Sequence, residues 1–250
     1  MKKVIKSTDL LVGMRAFTAA RIAIGRAGTS IPLKQSLEFK LAHAHARDAV
    51  YSDLDINALT DDLKQFRLPI LHLHSQAGYR EQYLQRPDLG RKLSEASKTE
   101  LQGHTQPTDI AIIIADGLSA TAINTNAVNL LKILIPMLHL ANLQLADIVI
   151  VEQGRVAIAD EIAQALQAKL SLIIIGERPG LSSADSMGVY LTYNPKPGLT
   201  DELRNCISNI RPAGLTCEQA SKKIFYLVQE AFRRKLSGVE LKDNAGLLHE

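Results

Sequence analysis

The chain has 250 residues, enough for one or two domains, and its 46% apolar and 22% charged content excludes a disordered or low-complexity protein. Lys and Arg total 29 against 26 Asp and Glu, a net charge of +3, which excludes a protein built to neutralise nucleic-acid phosphates. Two cysteines, Cys206 and Cys217, make neither a disulfide framework nor a four-ligand zinc site, and every long apolar stretch is interrupted by polar residues, so no membrane span is expected.

Met1 to Asp9 has no uninterrupted apolar core, so no secretory signal is expected and the reading is a soluble protein of the reducing cytoplasm. A basic, glycine-containing segment, Ala20–Ser30, comes first. Leu37, Leu41 and Ala44 then recur at helical spacing and predict a helix over about 36–50. A short extended piece follows at 70–74. The polar stretch 98–108, with Gly103, Gln106 and Pro107, is the candidate boundary between a mainly helical N-terminal region, residues 1–105, and an α/β domain, residues 106–250.

Beyond that boundary the pattern is regular. Ala111–Ala115, Ile148–Val151 and Leu172–Ile175 are all-apolar runs, separated by helical segments predicted at about 126–141 and 158–168. Short apolar strands alternating with amphipathic helices signal a parallel sheet covered on both faces, a Rossmann-like α/β fold. Pro136 should kink or shorten the first crossover helix. An extended stretch at 188–193 and a terminal helix at about 218–236 complete the domain.

In such a sheet, ligands bind beyond the carboxyl ends of the strands. The loops there read Asp116-Gly117-Leu118-Ser119, Glu152-Gln153-Gly154-Arg155-Val156 and Gly176-Glu177-Arg178-Pro179-Gly180. Glycine lets a ligand approach the backbone, and the helix N-termini that follow offer free N–H groups. One such loop is an ordinary turn; three on one edge point to a binding rim. The dinucleotide, P-loop and Gly-x-Ser-x-Gly patterns are all absent. His43 and His45 lie two apart on a helix and face different ways, whereas His72 and His74 would share a strand face as a structural pair. Cys206, between Asn205 and Ile207, reads as a lining residue without a histidine to activate it.

Several segments, in order, resemble the small (light) subunit of ethanolamine ammonia-lyase. They are Ala20–Ser30, Leu41–Val50, Arg86–Arg91, Ala115–Ser119, Gln153–Val156, Gly176–Leu181, Asn205–Asn209 and Lys235–Val239. The resemblance implies a heteromeric carbon–nitrogen lyase that uses adenosylcobalamin. A TIM-type large subunit would bind ethanolamine and supply the catalytic groups, with the cofactor sandwiched between the two chains. The N-terminal region would contact the large subunit. The same resemblance places cobalamin contacts on Val156, Glu177 and Cys206 and no catalytic residue or metal ligand on this chain. Arg155 and Arg178 would either pair with acids across the interface or remain solvated. In the implied reaction the cofactor supplies a deoxyadenosyl radical, and ethanolamine becomes acetaldehyde and ammonia. The Asp-x-His-x-x-Gly pattern of domains that donate a histidine to cobalt is missing, so the cofactor is expected base-on, with its own dimethylbenzimidazole as lower ligand. Some family members carry a polar N-terminal extension associated with packaging in a bacterial microcompartment; the first family-like segment here begins at about Ala20, leaving little room for one. The competing readings are a stand-alone nucleotide-binding α/β enzyme and a non-catalytic assembly subunit.

Overall fold

The structure is a computed structural model that describes residues 10–18, 20–103 and 106–243. The stretch Met1–Asp9, read for a secretory signal, and His104 and Thr105 of the candidate boundary lie outside the described residues.

Six strands, β1 (Ile70–His74), β2 (Thr108–Ala115), β3 (Ile148–Glu152), β4 (Ala168–Gly176), β5 (Met187–Tyr193) and β6 (Asn205–Ile210), form one sheet. Their order is β1-β3-β2-β4-β5-β6. The first four pair in parallel, while β5 runs antiparallel to β4 and β6 antiparallel to β5. The expected parallel sheet flanked by helices is thus borne out for β1 to β4, and the antiparallel β5 and β6 are the correction to it. Residues 177–186 contain no helix, and 194–204 contain only the single turn Asp201–Leu203. A parallel return needs a crossover that carries the chain back along the sheet, so each of these connections simply reverses direction. The polar sequence of β6 gave no strand signal, because as an edge strand it needs no continuous apolar run.

The central strands follow their sequence closely. Their side chains alternate between two apolar layers. Ile110, Ile112, Ile114, Ile150, Leu172 and Ile174 pack in the layer formed with α2 (Ile56–Leu63), α5 (Ala120–Leu140) and α7 (Cys217–Arg234). Ala111, Ile113, Val149, Val151, Ile173 and Ile175 pack on the opposite face with α6 (Ile158–Ala165) and with Leu93 and Leu101, which flank α4 (Glu95–Glu100). Full burial of each Ile or Leu contributes about 1.5–3 kcal/mol. Burial on both faces is therefore the main stabilisation of this region, and it fixes the register. Ala115 lies opposite both Val151 and Ile175, so the three strands end level and their loops emerge at one rim.

The crossover helix α5 begins earlier than predicted. Ser119, fully buried, accepts the Ala122 N–H at 3.2 Å and caps it. Thr121, Asn124, Thr125 and Asn126 then interrupt the apolar period in the first turns. The helix continues through Pro136 to Leu140. At the start of α7, Thr216 and Gln219 form a capping box.

Strand β1 comes from the N-terminal region but pairs with β3 from Ile70↔Ile148 to His74↔Glu152. The sheet thus draws one strand from residues 1–105 and five from 106–250. Helix α1 (Leu33–Tyr51) behaves differently: Ala49 is its one buried residue, and Leu33, Leu37 and Leu41 are 74%, 55% and 57% exposed. His43 stacks edge-on against Phe39, His72 hydrogen-bonds Thr60, and the His74 ring bonds the Ser75 carbonyl. No described helix is long and apolar enough to cross a membrane.

Candidate functional site

The three strand-end loops interlock. Gly117 has φ +57°, and the space for its Cβ is taken by the Gly176 carbonyl. The Leu118 N–H donates to that same carbonyl at 2.9 Å. In return, a Cβ on Gly176 would run into the carbonyls of Ser119 and Asp116. Only glycine allows backbones to approach this closely, so the sequence sets the shape of the rim at these two positions. The loops border an open cleft of about 410 Å³, lined among others by Leu118, Arg155, Val156, Glu177, Arg178 and Tyr190.

Val156 sits at the entrance to α6, where its carbonyl accepts the Ala159 N–H at 3.2 Å. It is half-buried, one side against the α6 layer and the other toward the cleft. The Glu177 carboxylate is already engaged. Ser186 Oγ donates to it at 2.6 Å, the Asn209 N–H at 3.2 Å, and Ser208 Oγ makes a third bond. These bonds tie the end of β4 to the polar stretch of β6. A carboxylate offers about four lone-pair sites, so one acceptor position is left for a ligand.

Cys206 lies next to this group rather than in the cleft lining. It is opposite Tyr190 across the β5–β6 pair and exposed at the sheet edge. Desolvation of its sulfur raises the thiol pKa, the neighbouring Tyr190 hydroxyl opposes this, and the Glu177 charge adds to it. The thiolate is disfavoured, which suits a packing role rather than a nucleophile. The structure thus brings Val156 and Glu177 to one cleft and sets Cys206 one strand behind it, through Tyr190. Arg178 is exposed at the rim.

Beneath the loops is a charged cluster that has no sequence motif. It is built from Asp116 and from α3 (Arg80–Gln85). Asp116 is buried, and its Oδ1 accepts the N–H groups of Gly117 at 2.9 Å and Gly154 at 3.2 Å. Arg80 Nη1 reaches Asp116 Oδ2 at 3.4 Å, the Gly117 carbonyl at 2.8 Å and Gln153 Oε1 at 3.2 Å. The Tyr83 ring, fully buried, lies between two guanidinium groups, with Arg80 at 4.8 Å and Arg155 at 4.1 Å from its centre. Arg155 donates Nη2 to the Tyr83 carbonyl at 3.3 Å, while its buried Nε has no partner. Arg80, Tyr83, Tyr190 and Ser208 were not foreseen, because only their long-range contacts distinguish them from ordinary surface or core residues.

Burial pushes the Asp116 carboxyl up to about 6, with Arg80 and the N–H groups of Gln153, Gly154 and Gly117 pulling the other way. An unfolded Asp titrates near 3.9, so the folded protein holds the extra proton between about 4 and 6. Stability from this group therefore rises as pH falls through that window, and the ionised form costs on the order of 3 kcal/mol at neutral pH. The carboxyl-carbon NMR signal lost in Asp116→Asn is expected to titrate near pH 6. A midpoint below about 4 would show that the donors outweigh burial.

Comparison with known proteins gives a single answer. The model of the ethanolamine ammonia-lyase light chain (EutC) family matches residues 8–242. The chain belongs to this family. It is 51% identical over 236 residues to the ethanolamine ammonia-lyase small subunit of Pseudomonas fluorescens SBW25, covering 93% of this chain and 85% of the relative. The Azotobacter vinelandii small subunit is 52% identical over 236 residues, 93% of this chain and 87% of the relative. That of Xanthomonas campestris ATCC 33913 is 51% identical over 241 residues, 95% and 89%. The light-chain segments read from the sequence take definite places in the fold. Ala115–Ser119, Gln153–Val156 and Gly176–Leu181 build the rim, and Asn205–Asn209 is the β6 stretch bound to Glu177. Arg86–Arg91 supplies Gly90, whose carbonyl accepts the Arg155 N–H at 2.7 Å.

Proposed function

We propose that this chain is the small subunit of an adenosylcobalamin-dependent ethanolamine ammonia-lyase and that the strand-end cleft receives one edge of the cofactor. The observation that carries this reading is the meeting of three glycine-bearing loops around one open cleft, with Val156 and Glu177 both in its lining. The residues suit such a group. A cleft of about 410 Å³ is too small to enclose a corrinoid but suits one side of it, the large subunit covering the other. A corrinoid carries peripheral amides and a nucleotide tail, and the rim offers both apolar surface and free hydrogen-bonding capacity. Val156 supplies apolar contact. Glu177 offers its one remaining acceptor position to an amide N–H or a ribose hydroxyl. Cys206, by packing on Tyr190, supports the wall of the cleft and its outer edge.

When bound, adenosylcobalamin supplies the radical chemistry that converts ethanolamine to acetaldehyde and ammonia. This chain's share is to bind and orient the cofactor and to keep water from its covered edge; the groups that handle ethanolamine belong to the large subunit. The exposed Leu33, Leu37 and Leu41 of α1 form an apolar stripe at i, i+4 spacing that none of the described residues covers, and we assign this stripe to the large-subunit contact.

Co-expression with the large subunit, followed by cobalamin titration of each chain and of the complex, tests the reading. Tight, saturable binding by the complex alone is expected. Turnover by this chain alone would refute it, and so would a complex whose activity ignores cobalamin. Within an active complex, Glu177→Ala is expected to raise the cofactor dissociation constant by about tenfold or more, the equivalent of one charged hydrogen bond, with a much smaller change in saturated turnover.

A further inference from the structure

The cluster beneath the rim has a directional construction. The loop after β3 must make a sharp turn before entering α6, and Gln153 takes φ +53°, the left-handed region that non-glycine residues seldom adopt. Such a conformation persists only when its surroundings fix it. Here three contacts do so. Asp116 Oδ1 holds the Gly154 N–H at 3.2 Å, the Tyr83 hydroxyl donates to the Gly154 carbonyl at 3.2 Å, and the Gly90 carbonyl holds the Arg155 N–H at 2.7 Å. The packing is tight as well: a Cβ on Gly90 would sit 2.8 Å from Arg155 Cγ and 3.0 Å from both the Gln153 carbonyl and the Tyr83 ring.

Arg80 joins these contacts. It bonds Asp116, the Gly117 carbonyl and Gln153 through one nitrogen, and through Nε it holds the Val50 carbonyl at the end of α1, at 2.6 Å. It lies behind the loops, outside the cleft lining, and so has no surface to offer a ligand there. One side chain therefore connects α1, the loop after β2 and the loop after β3.

We propose that Arg80, with Tyr83 and Asp116, is a positioning device through which α3 holds the Gly154–Val156 turn in its ligand-ready shape. The inference rests on the cofactor reading above, because it concerns how the same cleft is shaped. Its consequence is that Arg80, which is not among the residues lining the cleft, sets cofactor affinity from behind it. A residue that only stabilised the fold would lower the amount of active complex without changing the affinity of what remains.

The test uses the complex reconstituted with the large subunit, with adenosylcobalamin as titrant. Arg80→Met is expected to raise the apparent KM for cofactor by about tenfold or more while kcat at saturation stays within about twofold, and Arg80→Lys to recover part of the loss. Tyr83→Phe, which removes only the hydroxyl on the Gly154 carbonyl and keeps the ring between its two guanidinium groups, is the second variant should Arg80→Met fail to assemble. A rise of about threefold or more is expected for it, as for one lost hydrogen bond. An unchanged KM in the assembled Arg80→Met complex, or in Tyr83→Phe, would overturn the positioning role while leaving the cofactor reading intact. A wild-type complex without saturable cobalamin dependence would overturn the cofactor reading itself, and this inference with it.

Discussion

Gly176→Ala is expected to damage the rim severely. The added Cβ would meet three backbone atoms, the Ser119 carbonyl oxygen, the Asp116 carbonyl oxygen at 2.5 Å and the Ser119 carbonyl carbon at 2.7 Å. No rotamer change relieves a clash with backbone, so the end of β4 and the loop after β2 must separate. That movement breaks the Leu118 N–H bond to the Gly176 carbonyl and disturbs the cap that Ser119 gives α5. A loss of about 3 kcal/mol or more in unfolding free energy is expected, at the upper end for overpacking. Any complex that still assembles should bind cobalamin at least about tenfold more weakly, the equivalent of some 1.4 kcal/mol. Gly13→Ala is the control: no heavy atom lies within 4 Å of its added Cβ, and its effect should stay within about 0.5 kcal/mol. Denaturant titration of both variants decides the matter, and equal midpoints would show that the rim relaxes without cost.

The way this rim is built explains which parts of the molecule can be read from the sequence. β2, β3 and β4 are buried on both faces, so burial alone requires short, unbroken apolar runs, and these runs are plain in the sequence. Once the strands were placed, the glycine-bearing loops followed at their ends. The ordered light-chain segments pointed to the same loops, and the family match over residues 8–242 agrees with them. β5 was legible as an extended stretch, but its direction was not, since strand polarity depends on the absence of a helix in the connection rather than on the strand. β6 was illegible because only Ile207 and Ile210 of its side chains are buried.

The positions that need partners far away in sequence were hidden for a different reason. Arg80 acts through Asp116, Gly117 and Gln153, and Tyr83 through Gly154 and Arg155, all brought close only by the fold. The resemblance to the light-chain family is what implies Glu177 as a ligand contact. That its carboxylate also braces β6 through Ser208 and Asn209 could not be read from the loop. The strand β1, on the N-terminal side of the candidate boundary near 98–108, completes the sheet, and an edge strand of five residues carries too little periodic signal to show this in advance.

Arg204→Met is the second variant expected to have a large effect, and it acts on the same wall from below. Arg204 precedes β6 and grips Asp160 in the first turn of α6 with two nitrogens, at 2.8 and 2.7 Å. Both side chains are 1% exposed. Thr192 Oγ1 and the Leu199 carbonyl take further Arg204 N–H groups at 3.1 Å each. Burial works to lower the Arg204 pKa, but Asp160 and Asp201 outweigh it and hold the guanidinium charged. Methionine fills much of the space but leaves the Asp160 carboxylate buried with no counter-ion, a change that costs about 3–5 kcal/mol. The sign of the pH dependence follows. An unpaired buried carboxylate has a raised pKa, so the folded variant takes up a proton that its unfolded chain, titrating near 3.9, does not. The destabilisation should therefore be largest at pH 8 and shrink as pH falls toward 5. Arg204→Met/Asp160→Leu, which removes both charges, should recover most of the stability, because the wild-type pair gains little over a well-packed apolar one. Since Arg204 anchors the start of the strand that carries Cys206, Ser208 and Asn209, the single variant should also weaken the brace on Glu177. Denaturant unfolding of the three proteins at both pH values is the measurement, and a loss under about 1 kcal/mol, or one independent of pH, would mean that Asp160 finds water or another donor when Arg204 is gone.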